Sequence, residues 1–548
     1  MTLSMRTVLF SGLGLILLGI FSCEEKKKAE TRPNILLIVA DDLGYSDLGC
    51  FGSDIRTPNI DRLAAHGLRF SRFHTAPMCA PTRAMLLTGN NNHVAGMGNQ
   101  SGVRPSSPMY GKQGYEGHLS DRIIPVPALL KESGYQTYMA GKWHLGKEIE
   151  NGPKAKGFDR SYALLQGAAN HFNNIGIEAD DTLSTYREDG QPTEYPQGEY
   201  STDVYTRKLM QFIKEGKDNT PDQPFFAFAA YTSPHWPLQV PDDYLDRYAG
   251  DYDMGYDSLR TLRFNSLKEA GIISRDLALR PRLDHITPWD SLSAEEKRHE
   301  ARKMELYAAM IDNLDYHVGQ LLQFLKVEGL YENTIIVFMA DNGAADEDFY
   351  NEDWSRDYIQ SRYTNELDSM GRASSFVSYG PQWAQTGTAP FDRFKGFTTE
   401  GGISAPLIVS GKGIPETGEV RHEYFTVLDL APTFYELAVV EYPGQSATKK
   451  TRPLLGNSIL PYLQGSTPTI HDENYGHGLI HRGHLFYRKG DWKLVQIGEV
   501  EEPRLMLFNV ESDPGETNDL AESEKEKFDE LVKEWKVYIK THNIILPN

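Results

Sequence analysis

The chain has 548 residues, 40% hydrophobic and 24% charged, enough for one large domain with a sizeable core and a smaller second one. Its formal net charge of −20 argues against a nucleic-acid partner, because such binding depends on a basic surface that neutralises phosphates. That acidic surface also repels polyanions at long range, so any anion site must supply its own local positive charge.

Residues 1–23 read as an export signal. Arg6 gives a positive start, and residues 8–21 form an apolar run too short to span a membrane comfortably. The run ends in Gly19-Ile20-Phe21-Ser22-Cys23, which resembles a bacterial lipobox. The expectation is an exported chain, periplasmic or at the cell surface, held to the membrane by a lipid anchor at Cys23. Residues 24–32 read as a charged, solvated linker. With only Cys23, Cys50 and Cys79 in the chain, a disulfide framework is excluded.

From residue 33 the pattern is α/β. Residues 34–40 are a continuous apolar run, as in a strand buried on both faces, and the run stops at Asp41-Asp42-Leu43-Gly44. Residues 60–68 carry apolar residues at helical spacing. Residues 78–83, Met78-Cys79-Ala80-Pro81-Thr82-Arg83, predict a helix start, since proline suits the first turn. Arg83 then lies one turn from Cys79 on the same face. A nucleophile-type side chain beside a guanidinium near a helix N-terminus suits an oxyanion.

Residues 135–140 form a shorter apolar run that ends in Gly141-Lys142-Trp143-His144, and residues 225–231 form another that ends in Thr232-Ser233-Pro234-His235. Residues 244–290 are polar and weakly periodic, and read as an insertion near the site mouth. Ser293 with Glu296 completes a capping box, and apolar residues spaced three and four apart follow as far as Leu325. Residues 334–340 form a fourth apolar run, which stops at Asp341-Asn342-Gly343. In open α/β sheets, ligands bind beyond the carboxyl ends of the strands. Any one of these endings alone reads as an ordinary turn or cap, but four together predict a polar site on one sheet edge.

Cys-x-Pro-x-Arg at 79–83 followed by Leu87-Thr88-Gly89 resembles the sulfatase signature, as do Asp41-Asp42-Leu43-Gly44 and Lys395 before Glu400-Gly401-Gly402. Ser378-Tyr379-Gly380-Pro381-Gln382-Trp383-Ala384 onward is similar to bacterial arylsulfatases. Trp492-Lys493-Leu494-Val495 and Asp513-Pro514-Gly515 are similar to the small C-terminal sulfatase domain. The resemblance implies an alkaline-phosphatase-like fold, with a mostly parallel central sheet flanked by helices in residues 33–453. Residues 454–548 then form a smaller α+β domain, and the boundary is read from the polar stretch 448–453.

The resemblance further implies hydrolysis of sulfate monoesters, either aryl sulfates or sulfated sugars. Cys79 would be oxidised to formylglycine by a maturation enzyme, and its hydrate would attack sulfur. The second hydroxyl then releases the covalent sulfate as the aldehyde reforms; a serine would instead need water to attack a stable ester. Asp41, Asp42, Asp341 and Asn342, with residue 79, would hold a divalent ion. Their oxygen ligands suit calcium, with magnesium the alternative, and do not suit zinc. His144 would assist deprotonation of the hydrate. His235 and Lys395 would bind sulfate and protonate the leaving oxygen, while Arg83 and Lys142 steady the hydrate and the sulfate. Each fixed positive group is worth about 2.7–4 kcal/mol by analogy with one oxyanion donor. Two alternatives are a phosphate mono- or diester hydrolase on the same fold and an inactive glycan-binding lipoprotein; the intact set of site positions argues against the second.

Overall fold

The apolar runs become the inner strands of one sheet. In the computed structural model, which describes Thr2 and residues 32–443, 451–498 and 504–546, the sheet has ten strands. In chain order these are β1 (Asn34–Ala40), β2 (Gly67–Phe70), β3 (Gln136–Lys142), β4 (Arg160–Leu164), β5 (Tyr186–Glu188), β6 (Gln191–Thr193), β7 (Phe225–Ala230), β8 (Thr334–Ala340), β9 (Leu407–Gly411) and β10 (Val420–Arg421). Their spatial order is β10-β2-β9-β8-β1-β7-β3-β4-β5-β6. The inner five, β8-β1-β7-β3-β4, run parallel, and β9 and β5 flank them antiparallel. The predicted export signal, Cys23 and linker residues 24–31 lie outside the described residues, apart from Thr2.

β1 and β8 are buried along their whole lengths, and each large aliphatic side chain so buried is worth about 1.5–3 kcal/mol. Asn34 fixes the register at the amino end: its Oδ1 accepts from Phe225 N at 3.1 Å and its Nδ2 donates to Thr334 Oγ1 at 3.4 Å. Ala40 therefore lies opposite Ala340, Val39 opposite Ala230, and Ala230 opposite Gly141. The carboxyl ends are level, so the residues that follow them meet at one edge. Gly141 has φ +119°, and a Cβ there would lie 1.8 Å from the Ala230 carbonyl oxygen. Only glycine lets β3 approach β7 this closely just before Lys142.

Helices cover the sheet: α1 (Pro58–Ala65), α2 (Cys79–Leu86), α3 (Ser201–Asn219), α4 (Gly255–Glu269) and α5 (Ala294–Val327). The Ser293–Glu296 capping box forms as expected, with Glu296 N donating to Ser293 Oγ and Ser293 N donating to Glu296 Oε2. The helix expected over 60–68 differs in extent: it ends at Ala65, and Gly67–Phe70 forms β2, paired with β9. The stretch 244–290 also departs from expectation. It contains α4, whose Leu259, Arg263 and Phe264 are buried.

A second sheet, β11 (Gly476–His481), β12 (His484–Lys489), β13 (Trp492–Gln496) and β14 (Met506–Asn509), is an antiparallel meander. The last helix, α6 (Lys525–Thr541), buries Leu531 and Trp535 against Ile480, Leu494 and Leu507. Ile459, Leu463 and Ile470, by contrast, belong to the principal core. Lys493 on β13 reaches out of the small sheet to Glu400 Oε1 at 2.7 Å and Glu516 Oε1 at 2.9 Å, all three buried.

Candidate active site

The site is assembled from four strand ends and one helix start. Asp41 and Asp42 follow β1, Lys142 ends β3, His235 follows β7, and Asp341 and Asn342 follow β8. The helix α2 contributes Cys79 and Arg83, and every residue of that helix is buried. Thr82 steadies its entry, because its Oγ1 accepts from Ala76 N at 3.0 Å. Asp42 and His144 hold left-handed backbones at φ +65° and +59°, a cost of order 1–3 kcal/mol that side chains other than glycine bear mainly at functional sites.

Three carboxylates meet three cations. Lys142 Nζ donates to both oxygens of Asp41, at 2.9 and 2.7 Å. Lys395 Nζ donates to Asp42 Oδ2 at 2.8 Å. Arg83 donates to Asp341 Oδ2 through Nε at 3.0 Å and a terminal nitrogen at 2.7 Å, and to the Lys142 carbonyl at 3.1 Å. All six side chains are buried. Burial pushes the Asp41 carboxyl well up, against the pull of Lys142. Burial alone would lower Lys395, but Asp42 and Glu347 raise it well above its ordinary value.

Cys79 Sγ lies 3.3 Å from His144 Nδ1. Burial pushes this thiol up to about 11 although Lys142 opposes the shift, so residue 79 as a plain cysteine would be a poor thiolate nucleophile at neutral pH. Burial and the neighbouring Lys142 and Arg83 drive His144 well below its ordinary value, so its ring is neutral and able to take a proton. His235 Nδ1 donates to the Trp236 carbonyl at 2.8 Å, which leaves Nε2 as an acceptor 3.4 Å from Lys395 Nζ. Burial and Lys395 hold His235 neutral as well.

Asp41, Asp42 and His235 each offer a donor atom, and these atoms lie within 4.8 Å of one another. Asn342 Nδ2 donates to Asp42 Oδ1 at 2.7 Å, while its buried Oδ1 has no hydrogen-bond partner among the described residues. Asp341 Oδ1 accepts from Asp42 N at 3.3 Å. An orphaned amide oxygen beside clustered carboxylates fits an oxygen-preferring divalent cation. The expected ligand set did not include His235, which reaches the same place.

All ten predicted side chains thus converge. One residue was missed: Gln100, whose Nε2 donates to Cys79 Sγ at 3.5 Å and whose buried Oε1 has no partner among the described residues. It sits in a loop without periodicity, and nothing in the sequence marks it. Residues from the stretches 101–122 and 167–187 line the cleft above the site, whereas the stretch 244–290, expected near the site mouth, does not. Its Arg263 instead bonds buried Asp47 and, at 2.9 Å, Asp54.

A family model described as Sulfatase matches residues 33–440. An uncharacterised sulfatase of Schizosaccharomyces pombe is 38% identical over 93% of this chain and 94% of its own length. The arylsulfatase of Klebsiella aerogenes is 40% identical over 78% of this chain and 92% of its own. Among solved structures, Ps i-CgsB superimposes with a TM-score of 0.64 at 25% identity, over 93% of each chain. The mostly parallel sheet with its small appended sheet is the alkaline-phosphatase-like architecture of these neighbours. The chain belongs to the sulfatase family.

Proposed function

We propose that this sulfuric ester hydrolase uses residue 79, converted to formylglycine by a maturation enzyme, as its nucleophile, and calcium as its metal. The observation that carries this is Cys79 buried at the start of α2, between His144 and the row of paired carboxylates and cations. The formylglycine hydrate supplies two geminal hydroxyls at this position, one to attack sulfur and one to release the product. Asp41, Asp42, Asp341 and Asn342 would hold the ion, which supplies positive charge for the nucleophile and the sulfate oxygens.

Lys142 and Lys395, whose ammonium groups lie on Asp41 and Asp42, would bind the substrate sulfate. His144, neutral and beside residue 79, accepts the hydroxyl proton. Lys395 faces the position where charge develops on the leaving oxygen and delivers a proton there, whereas His235, neutral with Nε2 as an acceptor, orients that ammonium group. Arg83, held by Asp341, keeps a fixed positive charge under the nucleophile. Export with a lipid tether at Cys23 accompanies this proposal, supported by the apolar run 8–21 and the Gly19–Cys23 motif.

The test is parallel turnover of p-nitrophenyl sulfate and bis-p-nitrophenyl phosphate by protein made with the maturation enzyme. Mass spectrometry of the residue 79 peptide accompanies it. Faster sulfate ester turnover with an aldehyde at residue 79 is expected. Faster phosphodiester turnover, or full activity with an intact thiol, would overturn the proposal.

A further inference from the structure

The reacting groups lie at the foot of a cleft of about 1000 Å³, within the size range of small-molecule sites. One wall of the cleft is aromatic. Trp236 follows His235 directly, and its ring centroid is 4.1 Å from that imidazole and 5.5 Å from Lys395 Nζ. Phe349 meets Trp236 edge-on at 4.2 Å, and Trp354 meets Phe349 edge-on at 4.8 Å. The series runs from Trp236, 5% exposed beside the leaving-group residues, to Trp354, 62% exposed at the rim. The three rings lie in one row inside the cleft, and contiguous apolar surface rimmed by polar residues marks a ligand groove.

The same segment carries Asp346, Glu347 and Glu352, all lining the cleft. Glu347 Oε2 accepts from Trp236 Nε1 at 3.3 Å and lies 3.5 Å from Lys395 Nζ. Glu352 Oε2 accepts from Trp354 Nε1 at 2.5 Å. The carboxylates thus fix the indoles and retain free lone pairs at the cleft surface.

We propose, resting on the sulfatase reading above, that this wall binds the leaving group and selects a neutral, hydroxyl-bearing sugar ring carrying one sulfate. Aromatic faces take the apolar C–H face of a sugar ring. Carboxylates take its hydroxyl protons in charge-assisted bonds. A simple aryl leaving group offers the rings a partner but gives the carboxylates' remaining lone pairs no donor in place of the water it displaces, which is costly. A second sulfate against the same wall meets like charge.

The experiment measures kcat/KM of the mature enzyme on galactose 6-sulfate, a disulfated galactose and p-nitrophenyl sulfate, for the parent, Trp354→Ala and Glu352→Gln. The singly sulfated sugar is expected to exceed the disulfated one by about tenfold, and each variant to lose about tenfold on the sugar, mainly through KM. The loss on p-nitrophenyl sulfate should be several times smaller. Equal losses on both substrates, or a preference for the disulfated sugar, would overturn the assignment. Calorimetry of galactose 6-sulfate binding to Cys79→Ser protein separates the two readings. Binding that Trp354→Ala weakens supports the wall even if turnover is absent, whereas turnover with no contribution from Trp354 refutes the wall and leaves the hydrolase reading standing.

Discussion

His144 Nδ1 lies 3.3 Å from Cys79 Sγ, and a left-handed backbone at His144 turns the imidazole toward it. An atom placed so close to the nucleophile position is either its base or an expensive accident. Cys79→Ala should abolish turnover of p-nitrophenyl sulfate while the unfolding temperature falls by no more than a few degrees. His144→Ala should lower kcat by about 10²–10⁴-fold, as for the loss of a general base, and should remove the acidic limb of the kcat profile. Residual turnover above one-hundredth of the parent in Cys79→Ala would contradict the assignment.

Gln100 also bonds the sulfur, and its Oε1, without a partner among the described residues, suits a hydroxyl donor at residue 79. Gln100→Ala should cut kcat by roughly tenfold to a hundredfold, a loss on the scale of one polar contact to the reacting group. Gln100→Glu should lose more, because it adds negative charge beside a bound sulfate. Steady-state kinetics with matched yields of modified residue 79 distinguish this from poor maturation. Unchanged kcat in both variants would remove Gln100 from the site.

The strand ends were legible because a strand buried on both faces is a continuous apolar run, and a run that stops at charge shows where its carboxyl end lies. Register, which makes Ala40, Ala340, Ala230 and Gly141 level, follows from that shared plan. Gln100 was not legible, since a single amide in an aperiodic loop has no local signal. The helix α4 was hidden for a different reason. Its inward face includes Arg263, whose burial depends on Asp47 and Asp54 some two hundred residues earlier, so the hydrophobic period is broken by a charge that only the tertiary structure pairs. The pairing of Lys142 and Lys395 with carboxylates was equally invisible, because Lys142 was read against the hydrate and the sulfate, and Lys395 against the sulfate and the leaving oxygen.

Three side-chain cations pair with the three carboxylates, so an ion held by those carboxylates would compete with Lys142 and Lys395 for them. Chelation should abolish turnover, and calcium should restore it more fully than magnesium. Asp341→Ala should lower calcium affinity and activity together, by about tenfold or more, because it also strips Arg83 of its partner. Calorimetry of calcium binding checks this directly. Wild-type affinity in Asp341→Ala would move the ion elsewhere.

Lys493 crosses from β13 to two carboxylates, Glu400 and Glu516, and all three side chains are buried. Removing one partner of a buried charge cluster strands the others. Lys493→Met should therefore cost about 3–5 kcal/mol in denaturant unfolding. Burial already pushes the Glu516 carboxyl up, with Lys493 opposing, so Lys493→Met with Glu516→Gln should recover part of the loss. A loss below 1 kcal/mol in the single variant would show that solvent reaches the cluster.

His93, His477 and His481 are buried, and each has at least one ring nitrogen without a partner among the described residues. Burial drives all three down to about 3. The unfolded chain takes up protons on these rings below its ordinary value near 6.5, whereas the folded chain does not until about pH 3. Stability is therefore full above pH 6.5 and falls as the pH drops toward 3, by roughly 1.4 kcal/mol per pH unit for each ring. Together the three give roughly 4 kcal/mol per unit across that window, enough to unfold a domain of ordinary stability by mild acid. Unfolding free energies from urea titrations between pH 7 and pH 4 should fall at least this steeply, because other buried imidazoles such as His171 and His317, driven down to about 4, act in the same direction. His481→Phe should remove roughly 1.4 kcal/mol per pH unit from the slope. A midpoint independent of pH over that range would mean that the rings are protonated or hydrated in the folded chain.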